Sequence, residues 1–385
     1  MNQIPHSHRL HIGIFGRRNA GKSSLLNALA SQNAALVSPI KGTTTDPVYK
    51  TMELLPIGPV VLIDTAGIDD DGELGHLRIE KTTNILRKTD IALLVVDPSQ
   101  GFGEYEEELI RQLAKTKYLV VYSKSDMGIT CENPPGLHVS AISGFNIYEL
   151  KEKIAKIAQT CEPEPKLVGD LLEAGDVVIL VIPIDSSAPK GRLILPQQQV
   201  IRDCLDVNAI CIATQPQNLK ETLLSISVLP RLVITDSQAF NEVTEVTPPE
   251  IPLTSFSILM ARFKGVLDYA IESAKIIDQI QDGDKILIAE GCTHHRQCDD
   301  IGTVKIPRQI EGRTGSKPVY NFTSGGDFPQ ELSEFKLIIH CGGCMQNRKE
   351  MQSRQAAAIS QGIPMTNYGI ALSYMQGILE RVVRI

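Results

Sequence analysis

Residues spaced for chemistry fall into two groups, one near each end of the sequence. Gly16-Arg17-Arg18-Asn19-Ala20-Gly21-Lys22-Ser23 follows the β-rich run HIGIF and leads into the helical run SLLNALA. The spacing is GxxxxGKS in a strand–loop–helix context. Backbone amides of such a turn and of the helix N-terminus hold phosphate oxygens, Lys22 reaches the β and γ phosphates, and the Ser23 hydroxyl is placed to ligate magnesium. A glycine turn that only caps a helix is the competing reading, and the spacing disfavours it. The second group is Cys292-Thr293-His294 together with His340-Cys341-Gly342-Gly343-Cys344. Thiolates are soft ligands suited to iron–sulfur clusters or zinc, and a CxxC turn with two glycines folds tightly around a metal. A thioredoxin-like redox motif would need no partner cysteine elsewhere, whereas Cys292, Cys341, Cys344 and one histidine would make a tetrahedral zinc set.

Alternating strand and helix patterns must position both groups. From Leu10 to about Cys161 the runs HIGIFG, VVLIDTAG, IALLVVD, YLVVYSKSD and LHVSA alternate with helical stretches, which predicts a parallel sheet flanked by helices in a first domain over 8–161. The charged, proline-bearing CEPEPK at 161–166 reads as a linker. A smaller α/β domain is expected over 166–247, with three strands and three helices. The three prolines of TEVTPPEIP at 244–252 forbid a continuous helix or central strand and suggest the next boundary. A third α/β domain, 253–385, contains the strands DKILIAE and FKLIIH, each running straight into one half of the cysteine group. In a parallel sheet both would emerge at the carboxyl edge.

At 385 residues and 42% apolar composition the chain exceeds one ordinary core. A net charge of −7 argues against binding nucleic acid by broad electrostatic attraction. With no apolar run of about 18 residues and a polar start, neither a membrane span nor a signal peptide is expected, and the reading is cytoplasmic. Eight cysteines are too sparse for a disulfide scaffold. Cys131, Cys161, Cys204 and Cys211 have no ligand spacing and read as ordinary small residues. His6, His8 and His11 fit a tail or a sheet edge better than a metal site.

Four further segments resemble, in order, those of translation-factor-type GTPases. Gly42-Thr43-Thr44-Thr45-Asp46 is similar to switch I and Asp64-Thr65-Ala66-Gly67 to the DxxG of switch II; Ser123-Lys124-Ser125-Asp126 stands where NKxD belongs, and Ser140-Ala141-Ile142-Ser143-Gly144 matches SAxxG. The resemblance implies that Thr44 binds magnesium and senses the γ phosphate, that Asp64 reaches magnesium through water, and that the Gly67 amide touches the γ phosphate. Asp126 would accept from guanine N1 and N2, donors that adenine lacks. The implied GTP-binding set is Gly16, Asn19, Ala20, Gly21, Lys22, Ser23, Ser24, Thr44, Asp64, Gly67, Lys124, Asp126, Ser140 and Ala141, with Lys22, Thr44 and Gly67 acting in hydrolysis. Two departures have consequences. Ser123 replaces the asparagine whose hydrogen bond ties this loop to the phosphate loop, so that tie is expected to weaken. Ile68 stands where Ras-like enzymes carry a water-positioning glutamine, so hydrolysis is expected to be slow. Asn19 resembles the asparagine that binds potassium in tRNA-modifying relatives, which implies a potassium-stimulated enzyme; a turn residue without an ion is the other reading.

The CxH…HCxxC pattern is the signature of the HydF family of FeFe-hydrogenase maturation GTPases, which the chain resembles across all three domains. The resemblance implies an α/β P-loop GTPase domain, a small α/β dimerisation domain and an α/β iron–sulfur cluster domain in a homodimer or higher homo-oligomer. Cys292, Cys341 and Cys344 would hold a 4Fe-4S cluster whose fourth iron carries a labile ligand. A histidine beside a metal site often only orients ligands or donates a hydrogen bond, a role open to His294, His295 and His340; for His294 and His340 a direct or exchangeable ligand is the other reading, and Cys298, Asp299 and Asp300 have no assigned role. The implied function is a scaffold and carrier that receives a di-iron precursor cluster from radical-SAM maturases and hands it to apo FeFe-hydrogenase, with GTP ordering Thr44 and Gly67 to change a contact surface. Two other classes compete. A ribosome- or tRNA-associated GTPase with a structural zinc domain is opposed by the acidic balance, and an iron–sulfur redox enzyme by the missing second set of four cysteines.

Overall fold

The structure is a computed structural model that describes residues 7, 9–31, 48–65, 83–113, 116–130, 134–160, 165–184, 193–292 and 300–385. Two units divide the chain, Met1–Pro163 and Glu164–Ile385.

In the first unit six described strands form one sheet in the order β2-β3-β1-β4-β5-β6. They are β1 (Leu10–Phe15), β2 (Val48–Leu54), β3 (Gly58–Asp64), β4 (Ile91–Val96), β5 (Lys117–Tyr122) and β6 (Leu137–His138). Only β2 runs antiparallel to its neighbour. The run IALLVV of β4 is buried at every position, as expected of a parallel strand covered on both faces. The helices α1 (Lys22–Ser31), α2 (Glu104–Leu113) and α3 (Ile147–Gln159) supply the covering layers. Leu25 and Leu29 of α1 pack with Ile147, Leu150 and Ile154 of α3 against one face, and Leu109 and Leu113 of α2 against the other.

The second unit holds two four-stranded parallel sheets. The first, in the order β10-β9-β7-β8, contains β7 (Val177–Val181), β8 (Ile210–Thr214), β9 (Leu232–Thr235) and β10 (Leu253–Ser255). Three strands were expected here, and the fourth comes from beyond the proline-rich run. Those prolines fall between two neighbouring strands of one sheet: they follow the helix Phe240–Val246, and Pro252, which has no N–H to give, accepts from the Val233 amide at 2.9 Å as β10 begins. The second sheet, in the order β12-β11-β13-β14, contains β11 (Lys285–Glu290), β12 (Val319–Ser324), β13 (Leu337–His340) and β14 (Met365–Asn367). The C-terminal helical run is in two pieces, Tyr368–Met375 and Leu379–Val383, interrupted where Gly377 takes φ 74°.

One core joins the two sheets: Val181, Val233, Phe240 and Leu253 pack with Leu287, Ala289 and Ile338. Phe240→Ala, at a fully buried position, is expected to cost about 3–5 kcal/mol. Because the core is shared, amide exchange should quicken in β11 as well as in β9; exchange that quickens in β9 alone would contradict it.

Candidate nucleotide and metal sites

The phosphate loop grows out of β1. Gly16 takes φ 146°, and a Cβ there would meet the Val95 carbonyl oxygen at 2.2 Å, so the loop passes β4 too closely for any side chain. Asn19 at φ 59° and Gly21 at φ 93° complete the turn. Asn19 and Ser24 are exposed and Ala20 is buried. Lys22 is buried, and its Nζ donates to the carbonyls of Gly16 and Arg17 at 2.8 and 2.7 Å. Parallel pairing of β1 with β3, Ile14 opposite Asp64, sets the carboxylate beside the loop. The Ser23 hydroxyl donates to Asp64 Oδ2 at 2.5 Å. The other oxygen, Oδ1, is buried and has no hydrogen-bond partner among the described residues. Burial pushes this carboxyl above the usual range, against the Ser23 bond and the charges of Lys22 and Lys50. An orphaned carboxylate oxygen beside a serine hydroxyl is a donor set that fits a hard cation such as magnesium.

The base-reading loop is anchored by short side chains. The Ser123 amide donates to Val96 O at 2.9 Å, and its buried hydroxyl donates to the Ala20 carbonyl of the phosphate loop at 2.6 Å. With serine in the asparagine's place, a direct tie to the phosphate loop is present. Lys124, at φ 55°, donates to Asp97 Oδ2 at 2.6 Å, while Ser99 donates twice to Oδ1. Burial would raise the Asp97 carboxyl, but these bonds and the Lys124 charge outweigh it and hold the group below the usual range. Fully buried Ser140 donates to Asp126 Oδ1 at 2.6 Å, which joins the two guanine-side motifs and leaves the exposed Asp126 oriented; Ala141 follows at the surface of the same turn. Sequence reasoning missed Asp97 and Glu106. Glu106 is 1% exposed and accepts from Arg17 Nη2 at 2.8 Å and from the Gly103 amide at 2.9 Å, which ties the phosphate loop to α2. A carboxylate at the end of a fully apolar strand was the available signal for Asp97; Glu106, on an acidic helix, had none.

Thr44 with the rest of 42–46, Ala66, Gly67, Ile68, Cys131, Cys161, His294, His295, Cys298 and Asp299 lie outside the described residues.

In the second unit β11 and β13 are adjacent and parallel, Ala289 opposite His340. Cys292 and Cys341 therefore leave the sheet at the same carboxyl edge, as the sequence predicted. Cys341 Sγ accepts from the amides of Gly291 and Gly343 at 3.0 and 3.4 Å. Burial pushes the Cys341 thiol up to about 11 against those two bonds, with Cys292 and Glu290 adding to the rise. Cys344 is also pushed up to about 11 by burial and by Cys341, against the charge of Lys264. Cys341 thus stands within electrostatic reach of both Cys292 and Cys344. Among the described residues no group of three His, Cys, Asp or Glu side chains is placed to hold a metal ion. The donors nevertheless suit a thiophilic group in kind: three thiols at one sheet edge, with amides directed at one sulfur.

Both ring nitrogens of His340 are engaged, the hydrogen-bonding role that the sequence left open. Arg354 Nη1 lies 3.0 Å from Nε2, and a guanidinium only donates, so Nε2 accepts. Nδ1 then carries the hydrogen and donates to the Cys341 carbonyl at 2.8 Å. Burial and the Arg354 charge pull the imidazole down to about 3, so it is neutral. Lys264, from the helix Phe256–Lys264, is fully buried and donates to the Gln346 carbonyl at 2.6 Å, bracing the loop that follows Cys344.

Three family models match this α/β chain: a 50S ribosome-binding GTPase over 11–124, a hydrogen maturase F dimerization domain over 167–265 and a hydrogen maturase F tetramerization domain over 268–385. The region expected as a cluster domain is therefore matched as a tetramerization domain. The tRNA modification GTPase MnmE of Aquifex aeolicus is 36% identical over 151 residues, 38% of this chain and 34% of that protein. GTPase Der of Campylobacter jejuni is 36% identical over 169 residues, 38% of this chain and 36% of that protein. The chain thus spans about a third of the length of these curated relatives. Among solved structures, Era of Aquifex aeolicus bound to GDP and AlF4− aligns at 19% identity with a TM-score of 0.34, over 61% of this chain and 97% of that one. The G domain of the T. maritima FeoB iron transporter aligns at 23% identity with a TM-score of 0.32, over 40% of this chain and all of that one.

Ser123→Ala removes the donor to a buried loop carbonyl, at a cost of about 1–3 kcal/mol. Nucleotide affinity by calorimetry should fall roughly tenfold or more, since each 1.4 kcal/mol is a factor of ten; unchanged affinity would contradict the anchoring role.

Proposed function

The chain belongs to the hydrogen maturase F family, and from that premise we propose that it is a GTP-hydrolysing scaffold and carrier, which assembles the di-iron precursor cluster and delivers it to apo FeFe-hydrogenase. The observation that carries this reading is the pairing of β11 with β13, which brings Cys292 and the amide-bonded Cys341 to one sheet edge in a chain that also has a GTPase domain.

In the nucleotide site, Ser23 and Asp64 would hold magnesium with Thr44, Lys22 would neutralise phosphate charge, and Asp126, oriented by Ser140, would read guanine. With isoleucine at position 68, hydrolysis is slow and suited to a timer. Asn19, at the exposed tip of the phosphate loop, is the residue we assign to potassium. Potassium should raise the hydrolysis rate over sodium, and Asn19→Ala should abolish the difference; equal rates in both salts would remove the assignment.

Cys292, Cys341 and Cys344 are the residues that would hold a 4Fe-4S cluster, which when bound supplies an iron with an open coordination position. Gly291 and Gly343 would hydrogen-bond the Cys341 sulfur, and Lys264 would set a positive charge beside Cys344. A Cys3His zinc site loses His340 as its fourth ligand, because that ring is engaged by Arg354 and Cys341. The assembly is a homo-oligomer, consistent with matches to dimerization and tetramerization domains. Radical-SAM maturases and the hydrogenase are the proposed partners and the cytoplasm the proposed location; among the described residues no helix is long and apolar enough to cross a membrane.

The test is anaerobic reconstitution with iron and sulfide, followed by iron and zinc analysis, EPR of the reduced protein and activation of apo-hydrogenase. A cluster signal lost in Cys341→Ala and in Cys344→Ala, but kept in His340→Gln, is the expected pattern. Stoichiometric zinc that resists exchange, with no EPR signal, would replace the carrier by a GTPase with a structural zinc domain.

A further inference from the structure

Away from both sites, two thiols of the first sheet of Glu164–Ile385 meet. Cys204 lies near the end of the helix Leu195–Asp206 and is fully buried. Cys211 is the second residue of β8, the edge strand of its sheet, and is half-buried. Between them Asn208 takes φ 58°, and the amides of Val207 and Ala209 both return to the Cys204 carbonyl, at 3.3 and 2.9 Å. That turn folds β8 back alongside the helix end. Cys211 packs on the core that contains Cys204, and each thiol shifts the acidity of the other. Both thiols are free.

We propose that Cys204 and Cys211 form a redox-active dithiol that closes to an intrachain disulfide by exchange with a low-molecular-weight disulfide. The half-buried Cys211 is the sulfur that solvent reaches, and the buried Cys204 belongs to the core on which it packs. Cys211, after losing its proton to water, attacks one sulfur of the small disulfide, whose bond breaks to release a thiolate. Cys204 then attacks the Cys211 sulfur of the mixed disulfide, gives up its proton and releases the second small thiol. Two cysteine thiols are oxidised and one small disulfide is reduced to two thiols, with the protons carried by the leaving groups. Acidity supports the order of attack. The neighbouring Cys211 and burial push the Cys204 thiol up, whereas Cys204 pulls Cys211 down against burial. In a reducing compartment such bonds are transient and suit sensing. Closure here would pin an edge strand to its helix beside the exposed side chains of Leu205 and Ile210, within the region matched as a dimerization domain.

Both thiols fall in one tryptic peptide, Asp203–Lys220, bounded by Arg202 and ending at Lys220. After the full chain is incubated with oxidised glutathione and alkylated, that peptide should have lost two hydrogens, and dithiothreitol before alkylation should restore them. Recovery with both cysteines alkylated, or with glutathione retained on Cys211, would overturn the proposal. In Cys204→Ser the glutathione adduct should persist on Cys211; an unmodified Cys211 in that variant would overturn the order of attack. The measurement needs neither cluster nor hydrogenase, so its outcome is independent of the carrier reading.

Discussion

Ile286–Ala289 of β11 and Leu337–His340 of β13 are fully buried and run in parallel, with Ala289 opposite His340. Strands buried on both faces cannot slip or reverse without abandoning ladder bonds and apolar cover together. Parallel direction then requires both chains to leave at the same edge. Cysteines nearly fifty positions apart become neighbours through that constraint alone. The first unit applies it again. Pairing of β1 with β3 places Asp64 beside Ser23, and β4 next to β5 places Asp97 near the start of the base-reading loop.

Around the thiols, buried charge is managed with specific partners. Arg354 is 3% exposed, yet it bonds His340, the Gly325 carbonyl and Glu350 and lies over the Phe328 ring. A buried guanidinium with this many acceptors is satisfied. Its effect on His340 is chemical as well as structural: by occupying Nε2 it fixes the tautomer whose Nδ1 hydrogen braces the Cys341 carbonyl. The histidine of the HCxxC pattern thus holds the backbone of the first cysteine of that pattern.

Motifs that depend on local spacing were legible in the sequence, and contacts that depend on tertiary approach were not. The phosphate loop and the strand-to-CxxC junction follow from glycine spacing and apolar runs, whereas Asp64 and the Asp126 and Ser140 segments came through the resemblance to GTPases. The Ser123 bond was hidden because its reach depends on how closely the Ala20 carbonyl approaches, which no pattern encodes. Strand β10 was hidden by its prolines: they exclude a helix, but a proline carbonyl still accepts a ladder bond. His340 resembled a ligand because Arg354, its partner, lies on the helix Arg348–Ser360, and only packing brings the two together. Cys204 and Cys211 lacked ligand spacing, and the turn at Asn208 that joins them is visible only in the backbone angles.

Lys264 closes one matched domain, and the carbonyl that receives its ammonium belongs to the next. The boundary near position 266 is therefore a seam in sequence without being a seam in space. A chimaera that exchanged the last segment for a relative's would inherit a dehydrated cation whose acceptor had come from a different lineage, under a hydrophobic core assembled from two ancestries. Residues 164–385 should accordingly pass through recombination as one block, with Lys264 and the loop after Cys344 changing in step.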